Sequence, residues 1–198
     1  RMKIFFPVEV LYPSQAGGTA NTVYWLTKNL ARHGFESTII ATDKGITGQV
    51  PLGRWIENES GRSKFIRTFI VNFPFHQTLA SLLEFRRADV VHLSSVFYPS
   101  AFITAFAARL LRKKIAWSVH GELADFALNY SAGRKRPILW AIKRFFGTYP
   151  LFHSTSSEET AEIRGVFGSD ARISQILNYV ELGDQVAREA GDYVLYSG

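Results

Sequence analysis

The chain of 198 residues contains no cysteine, which excludes disulfides and thiolate metal centres and is compatible with a cytoplasmic location. No apolar run approaches the roughly 18 residues that a membrane-spanning helix needs. The five histidines show no metal-ligand spacing, and no D-x-D is present to carry a divalent cation on a sugar diphosphate, so no protein metal site is expected. The dinucleotide fingerprint G-x-G-x-x-G is missing. Gly48 and Gly53 have phosphate-loop spacing, but Arg54-Trp55 stand where Lys and Ser/Thr are required and Pro51 interrupts the loop. No G-x-S-x-G elbow supports a hydrolase of that type.

What is present describes a soluble, core-forming chain: 46% of residues are hydrophobic and 20% charged. The formal charge of +6 fits an anionic partner (sugar nucleotide, nucleic acid or acidic lipid surface) or simply a solvated basic face. The organising stretch is Lys3 to Ala41. An apolar strand, Lys3–Val8, leads through a turn-rich segment to Gly17-Gly18. A helix from about Ala20 to His33 follows, with Val23, Leu26, Leu30 and Ala31 on one face, and a β-branched strand, Ser37–Ala41, completes a βαβ unit. Thr19 is placed to cap the helix and Gly34 to close it. The two glycines feed a helix N-terminus, whose free N–H groups favour an anion. A tight turn explains them equally well.

Further along, Arg54–Thr68 reads as a hairpin turning at Glu59-Ser60-Gly61, and Phe75–Phe85 as a helix with Leu79, Leu82 and Leu83 apolar. Strands are predicted at Ala88–Leu93, Ile115–Val119, Leu151–Thr155 and Arg172–Leu177. Helices are predicted at Ser100–Leu111, at Pro137–Phe146 with the proline in the first turn, and from Ser157 to Gly165 or Gly168. This alternation gives an α/β fold, a doubly wound parallel sheet with helices on both faces, whose ligands lie above the strand carboxyl ends. The residues there are Gly17, Gly18, Ser94, His120 and Asn178. One further strand is expected at Tyr193–Tyr196. Residues 1–183 are read as one Rossmann-like domain, and 184–198 as a linker and the first strand of a second domain.

His120, beside Gly121, is a candidate hydrogen-bond donor or general acid/base, or a structural histidine; His92, inside an apolar strand, reads as a satisfied core residue. Glu122 and Asp125 orient His120, act as a base, or are ordinary helix-start acids. Arg134-Lys135-Arg136, Trp140, Lys143-Arg144 and Phe145-Phe146 form a basic, aromatic helix. It lies on an anionic membrane surface or packs its aromatics on the sheet.

Together these stretches resemble the N-terminal domain of two-domain, GT-B fold glycosyltransferases, specifically family 4. The resemblance is carried by Gly17-Gly18, by Leu26 with Leu30-Ala31 and Gly34, by Ala88–Ser94, His120-Gly121 and Ser156-Ser157-Glu158, by Ile176–Val180, and by Tyr193–Gly198. Tyr179 departs from it, since the family usually has glycine there. The resemblance implies sugar transfer from a nucleotide-sugar, a co-substrate rather than a bound cofactor, to a glycan or lipid-linked acceptor. The pathway implied is surface polysaccharide or lipopolysaccharide biosynthesis, at the cytoplasmic side of a membrane. Retention of anomeric configuration is expected, with the departing phosphate oxygen helping to deprotonate the acceptor. Carried over, Gly17, Gly18 and Thr19 approach the donor phosphates and His120 contacts the transferred sugar. Ser94, Gly121, Glu122 and Asn178 complete the substrate-binding set. A separate second domain would supply the nucleotide site, leaving this fragment inactive alone. The competing reading is a stand-alone nucleotide- or nucleic-acid-binding module; the missing fingerprint argues against it.

Overall fold

The computed structural model describes residues 1–68, 73–130 and 132–179. Its strands are β1 (Lys3–Pro7), β2 (Glu36–Thr42), β3 (Trp55–Asn58), β4 (Gly61–Ile66), β5 (Val90–Ser94), β6 (Lys114–Ser118), β7 (Leu151–Ser154) and β8 (Arg172–Gln175). They form one sheet in the order β3-β4-β2-β1-β5-β6-β7-β8. Only the β3–β4 hairpin is antiparallel. The chain runs outward from β1 through β2 to β4, returns to β5 on the other side of β1, and then continues to β8. The reversal places the switch point between β1 and β5, and a ligand crevice above their carboxyl ends.

The helices are α1 (Gly18–Arg32), α2 (Phe75–Glu84), α3 (Pro99–Leu110), α4 (Asp125–Asn129), α5 (Ala132–Phe146) and α6 (Ser157–Phe167). Strand side chains alternate between faces, and the two cores follow that alternation. Ile4, Phe6, Ile39 and Ala41 pack with Val23 of α1. Phe5, Ile40, Val91, Leu93 and Trp117 pack with residues of α3, α5 and α6. Each buried Phe- or Leu-sized side chain contributes about 2 kcal/mol. The doubly wound α/β fold is therefore as expected, with the layers unequal: among the described helices α1 alone packs in the second core.

Local chemistry shifts several boundaries. Helix α1 begins at Gly18, two residues early, because Gly17 takes the N-cap position at φ 104°; no side chain caps the helix, so Thr19 lies inside the first turn. At the other end Gly34, at φ 81°, donates to Ala31 O while Phe35 donates to Leu30 O, the paired bonds of a Schellman closure. Helix α5 starts at Ala132, so Pro137 falls inside it rather than in its first turn. The added turn is tied down by the Lys135 ammonium donating to Ala127 O at 2.6 Å. The Tyr193–Tyr196 strand, Val180 and the proposed boundary at 183–184 lie outside the described residues.

Helix α2 turns the opposite way from its hydrophobic pattern. Leu79 and Leu83 are 50% and 66% exposed, whereas Gln77, Thr78 and Ser81 are buried. Gln77 decides the orientation. Its amide donates to Val8 O at 2.8 Å and Ile40 O at 3.0 Å, and its carbonyl accepts from the Tyr98 hydroxyl at 2.7 Å. It thereby pairs the carbonyl where β1 ends, whose burial unpaired would cost about 1–3 kcal/mol, and adds a second donor to Ile40 O, which already accepts from Val8 N at 3.0 Å.

Candidate functional site

The segment between β1 and α1 is held in place before it reaches the glycines. Ser14 Oγ donates to Lys44 O at 2.7 Å and accepts from Ala16 N at 3.2 Å, and Gln15 N donates to Gly45 O. A Cβ on Gly45 would meet that of Ala16 at 2.5 Å, so the two loops touch backbone to backbone. Beyond them the space opens: a Cβ on Gly17 or Gly18 would have nothing within 4 Å. The first turn of α1 carries no acid. Its N–H groups thus face free space with their positive end uncompensated.

After β6 the backbone takes two consecutive left-handed residues, His120 at φ 50° and Gly121 at φ 71°. Helix α6 grips this turn. Glu159 is buried; its carboxylate accepts from Gly121 N at 2.7 Å, and from Thr155 N at 2.6 Å and Thr155 Oγ1 at 2.9 Å. Ser156 caps α6 by accepting from Glu159 N at 3.1 Å. The Ser156-x-x-Glu159 pattern is a capping-box signature, the sequence signal that could have singled out Glu159.

Glu122 does not orient His120, contrary to one of the three expectations for it. Its carboxylate accepts from Ser95 Oγ at 2.6 Å and Val96 N at 2.5 Å, which braces the β6 turn against the loop after β5. Burial pushes that carboxyl above the usual range, against hydrogen bonds that lower it. Asp125 sits exposed in the first turn of α4.

His120 itself is held neutral. Burial lowers its pKa to about 4, opposed by Glu159 and reinforced by His153. Its Nε2 is buried with no hydrogen-bond partner among the described residues, a polar atom left unsatisfied. An open cleft of about 470 Å³ brings His120 and Gly121 together with Gly18, Thr19 and Asn178, and is rimmed by Glu158, Glu159 and Glu162. Ser94 lies in an adjoining, more apolar cavity, which shares His120 and Asn178 with the cleft. Gly17 precedes the cleft wall, and Glu122 lies outside both linings.

A match to the Glycosyltransferase Family 4 model spans residues 16–184, from the glycine loop through the last described strand. The chain belongs to glycosyltransferase family 4. No curated protein matches it. Among solved structures, sucrose-phosphate synthase from Thermosynechococcus elongatus superposes with a TM-score of 0.62 at 16% identity, covering 89% of this chain and 48% of that one. Anabaena HepE, solved in complex with UDP-glucose, gives 0.63 at 14% identity, covering 91% and 45%. The E. coli trehalose-6-phosphate protein, solved with UDP-2-fluoro glucose, gives 0.52 at 9% identity, covering 90% and 49%. These likenesses establish the Rossmann-like fold of a GT-B glycosyltransferase domain. The chain spans about half the length of these structures.

The adjoining cavity holds a relay that the sequence did not announce. His153 Nε2 lies 2.7 Å from Ile176 O, and a carbonyl can only accept, so that nitrogen carries the proton. In neutral His153, Nδ1 then accepts from Ser118 Oγ at 2.8 Å, and Ser118 accepts from His92 Nε2 at 2.8 Å. His92, also stacked on Phe6, is the satisfied histidine expected of it. Its pKa falls to about 3, first through burial. Among the described residues no group of three or more His, Cys, Asp or Glu is arranged to hold a metal ion.

These depressed histidines make the family 4 domain acid-sensitive. Below the ordinary histidine pKa of 6.5 the unfolded chain binds protons that folded His92 and His120, titrating near 3 and 4, refuse. Stability therefore falls as pH drops below 6.5, by about 1.4 kcal/mol per pH unit for each of the two histidines, or roughly 4 kcal/mol by pH 5. Urea unfolding at pH 7 and pH 5 should show that loss, and His120→Asn should remove part of it. An unchanged unfolding midpoint would contradict the buried, neutral assignment.

Proposed function

We propose that this chain is the acceptor-side half of a glycosyltransferase that moves a sugar from a nucleotide-sugar donor to a glycan or lipid-linked acceptor, in surface polysaccharide or lipopolysaccharide biosynthesis. The observation that carries the reading is the two-sided cleft. One wall is a helix N-terminus with open glycines and no acid, suited to a diphosphate. The other carries the carboxylates of Glu158 and Glu162, suited to accepting from sugar hydroxyls, and His120, with its buried and unsatisfied Nε2, lines the same cleft. A neutral histidine there donates to, or accepts from, a sugar hydroxyl without adding charge.

Gly17, Gly18 and Thr19 approach the donor phosphates, His120 and Gly121 meet the transferred sugar, and Ser94 and Asn178 border the acceptor. Glu122 serves by holding the β5 and β6 loops in register rather than by touching substrate. The anomeric carbon–phosphate oxygen bond breaks as the acceptor oxygen bonds to that carbon, with retained configuration. The acceptor proton passes to the departing phosphate. That route is supported by the carboxylates: Glu122 and Glu159 are committed to backbone N–H groups and are poorly placed as bases. Because the superposed structures run to about twice this length, we assign the nucleotide-binding half to residues outside this chain.

The test is nucleotide release by the full-length protein with a panel of nucleotide-sugars, beginning with UDP-glucose, in the presence and absence of membrane glycan extract. Acceptor-dependent release is expected, with none from the 198-residue chain alone. Transfer by that chain alone would sink the half-site reading. A full-length protein that binds no nucleotide-sugar would sink the reaction class.

A further inference from the structure

Asn178 lines both the His120 cleft and the cavity beside it, yet few interactions hold it there. It follows β8, the last strand in the sheet order, so among the described residues no strand flanks it on the far side. Ile176 and Leu177 are 59% and 78% exposed, so burial of apolar surface adds little. The Asn178 side chain makes no hydrogen bond among the described residues. Its place therefore depends on the backbone around it. The β7–β8 ladder runs one bond past β8, with Ile176 N donating to Ser154 O at 2.8 Å. Ile176 O is then taken by a side chain, accepting from His153 Nε2 at 2.7 Å. A looser tie follows Asn178, where Arg32 donates to the Tyr179 hydroxyl at 3.3 Å between exposed groups.

We propose that His153 is a positioning residue of the transfer reaction, a role that rests on the acceptor-side function proposed above. By holding Ile176 O it sets where the backbone turns toward the cleft, and so where the Asn178 amide meets the acceptor. The ring is built for that bond. Ser118 Oγ donates to Nδ1, which leaves Nε2 as the protonated nitrogen, and His92 in turn donates to Ser118. The His92 ring also packs nearly perpendicular to that of His153, with centroids 6.4 Å apart. Ring orientation and tautomer are thus fixed from β5 and β6, two strands away from the segment they serve. Both nitrogens of His153 are committed, and neither is left to meet a substrate. His153 lines the cavity and not the cleft. His120 is the opposite case, a histidine in the cleft with Nε2 unsatisfied.

Two polar substitutions separate positioning from a general loss of stability. A glutamine amide nitrogen reaches the place of histidine Nε2, whereas the shorter asparagine amide reaches only that of Nδ1. In the full-length protein His153→Gln should therefore keep the bond to Ile176 O, and His153→Asn should lose it. Nucleotide release is followed with UDP-glucose, or whichever member of the nucleotide-sugar panel is turned over, against membrane glycan extract. For His153→Asn the half-saturating amount of extract should rise roughly five- to tenfold, the range one hydrogen bond controls. Its kcat and donor affinity should stay within about twofold, and His153→Gln should match the wild type. Hydrogen exchange gives a measure independent of transfer: amides of residues 172–179 should exchange roughly fivefold faster in His153→Asn and at the wild-type rate in His153→Gln. Equal behaviour of the two variants, an equal loss of donor affinity, or a fall in kcat with the half-saturating amount unmoved would overturn the proposal. So would unchanged exchange in His153→Asn. A wild-type protein that transfers no sugar would sink the transferase reading instead, and the exchange comparison would still decide whether His153 holds the segment.

Discussion

Replacing His120 with alanine in the full-length enzyme should cut kcat by roughly 10²–10³-fold, the range in which a positioned proton donor or acceptor acts, while leaving donor affinity within a few-fold. His120 lines the cleft, and its buried Nε2 has no hydrogen-bond partner among the described residues. Its backbone complicates the experiment. At φ 50° alanine pays about 1 kcal/mol for the left-handed conformation, whereas asparagine tolerates it. His120→Asn separates the two contributions: the fold is kept, a hydrogen-bond donor remains, but no group with a titratable ring nitrogen is present. Activity lost in both variants with the melting temperature held in His120→Asn places the chemistry on the imidazole. Loss in proportion to destabilisation alone would return His120 to a structural role. Glu159 is a positioning residue in the same experiment, since it holds Gly121 N and fixes the turn that aims His120.

The sheet was readable because its signal is local. Strands such as Val90–Ser94 and Lys114–Ser118 are buried on both faces, so their apolar runs stand out without tertiary knowledge. Strand order was legible to the extent that alternating strands and helices force a parallel, doubly wound arrangement. The failures share a different physics. Helix α2 faces inward with Gln77 because its amide joins Val8 O, Ile40 O and the Tyr98 hydroxyl, and no periodicity encodes partners so far away in sequence. Pro137 falls in a helix interior because the turn before it is tied by Lys135 to a carbonyl of the preceding helix, a contact no local signal encodes. Glu122 neither orients His120 nor starts a helix, because its partners lie 27 and 26 residues away.

At the site the same division holds. Gly18, Thr19, His120, Gly121 and Asn178 converge on one cleft because the strand-end rule is topological and needs only the order of elements. His153 obeys the same rule at the end of β7 and was equally legible, yet its bonds to Ser118 and Ile176 depend on a register that the sequence does not print. Glu159 was legible as a helix cap and illegible as the clamp on the His120 turn, since the second role spans 38 residues.

The two glycines separate cleanly as experimental targets. Gly17 sits at φ 104°, where any Cβ is strained, so a substitution there confounds folding with function. Gly18 has ordinary helical backbone and nothing within 4 Å of an added Cβ. Gly18→Ala should therefore leave the melting temperature unchanged or slightly raised, because alanine is the better helix residue by up to about 1 kcal/mol. If the α1 N-terminus receives the donor's phosphates, the new methyl group occupies the space through which their oxygens reach the N–H groups. Holding them back by even an ångström forfeits part of a charge-assisted hydrogen bond, about 1.4–3 kcal/mol, or roughly 10- to 100-fold in donor affinity. Calorimetric titration of the full-length protein with its nucleotide-sugar should show that loss, and free nucleotide should lose as much if the diphosphate is what the glycines meet. Unchanged affinity in a folded Gly18→Ala protein would reduce the pair to a tight turn. The open space above Gly18 is what makes the outcome decisive: the protein itself gives the methyl group nothing to strike.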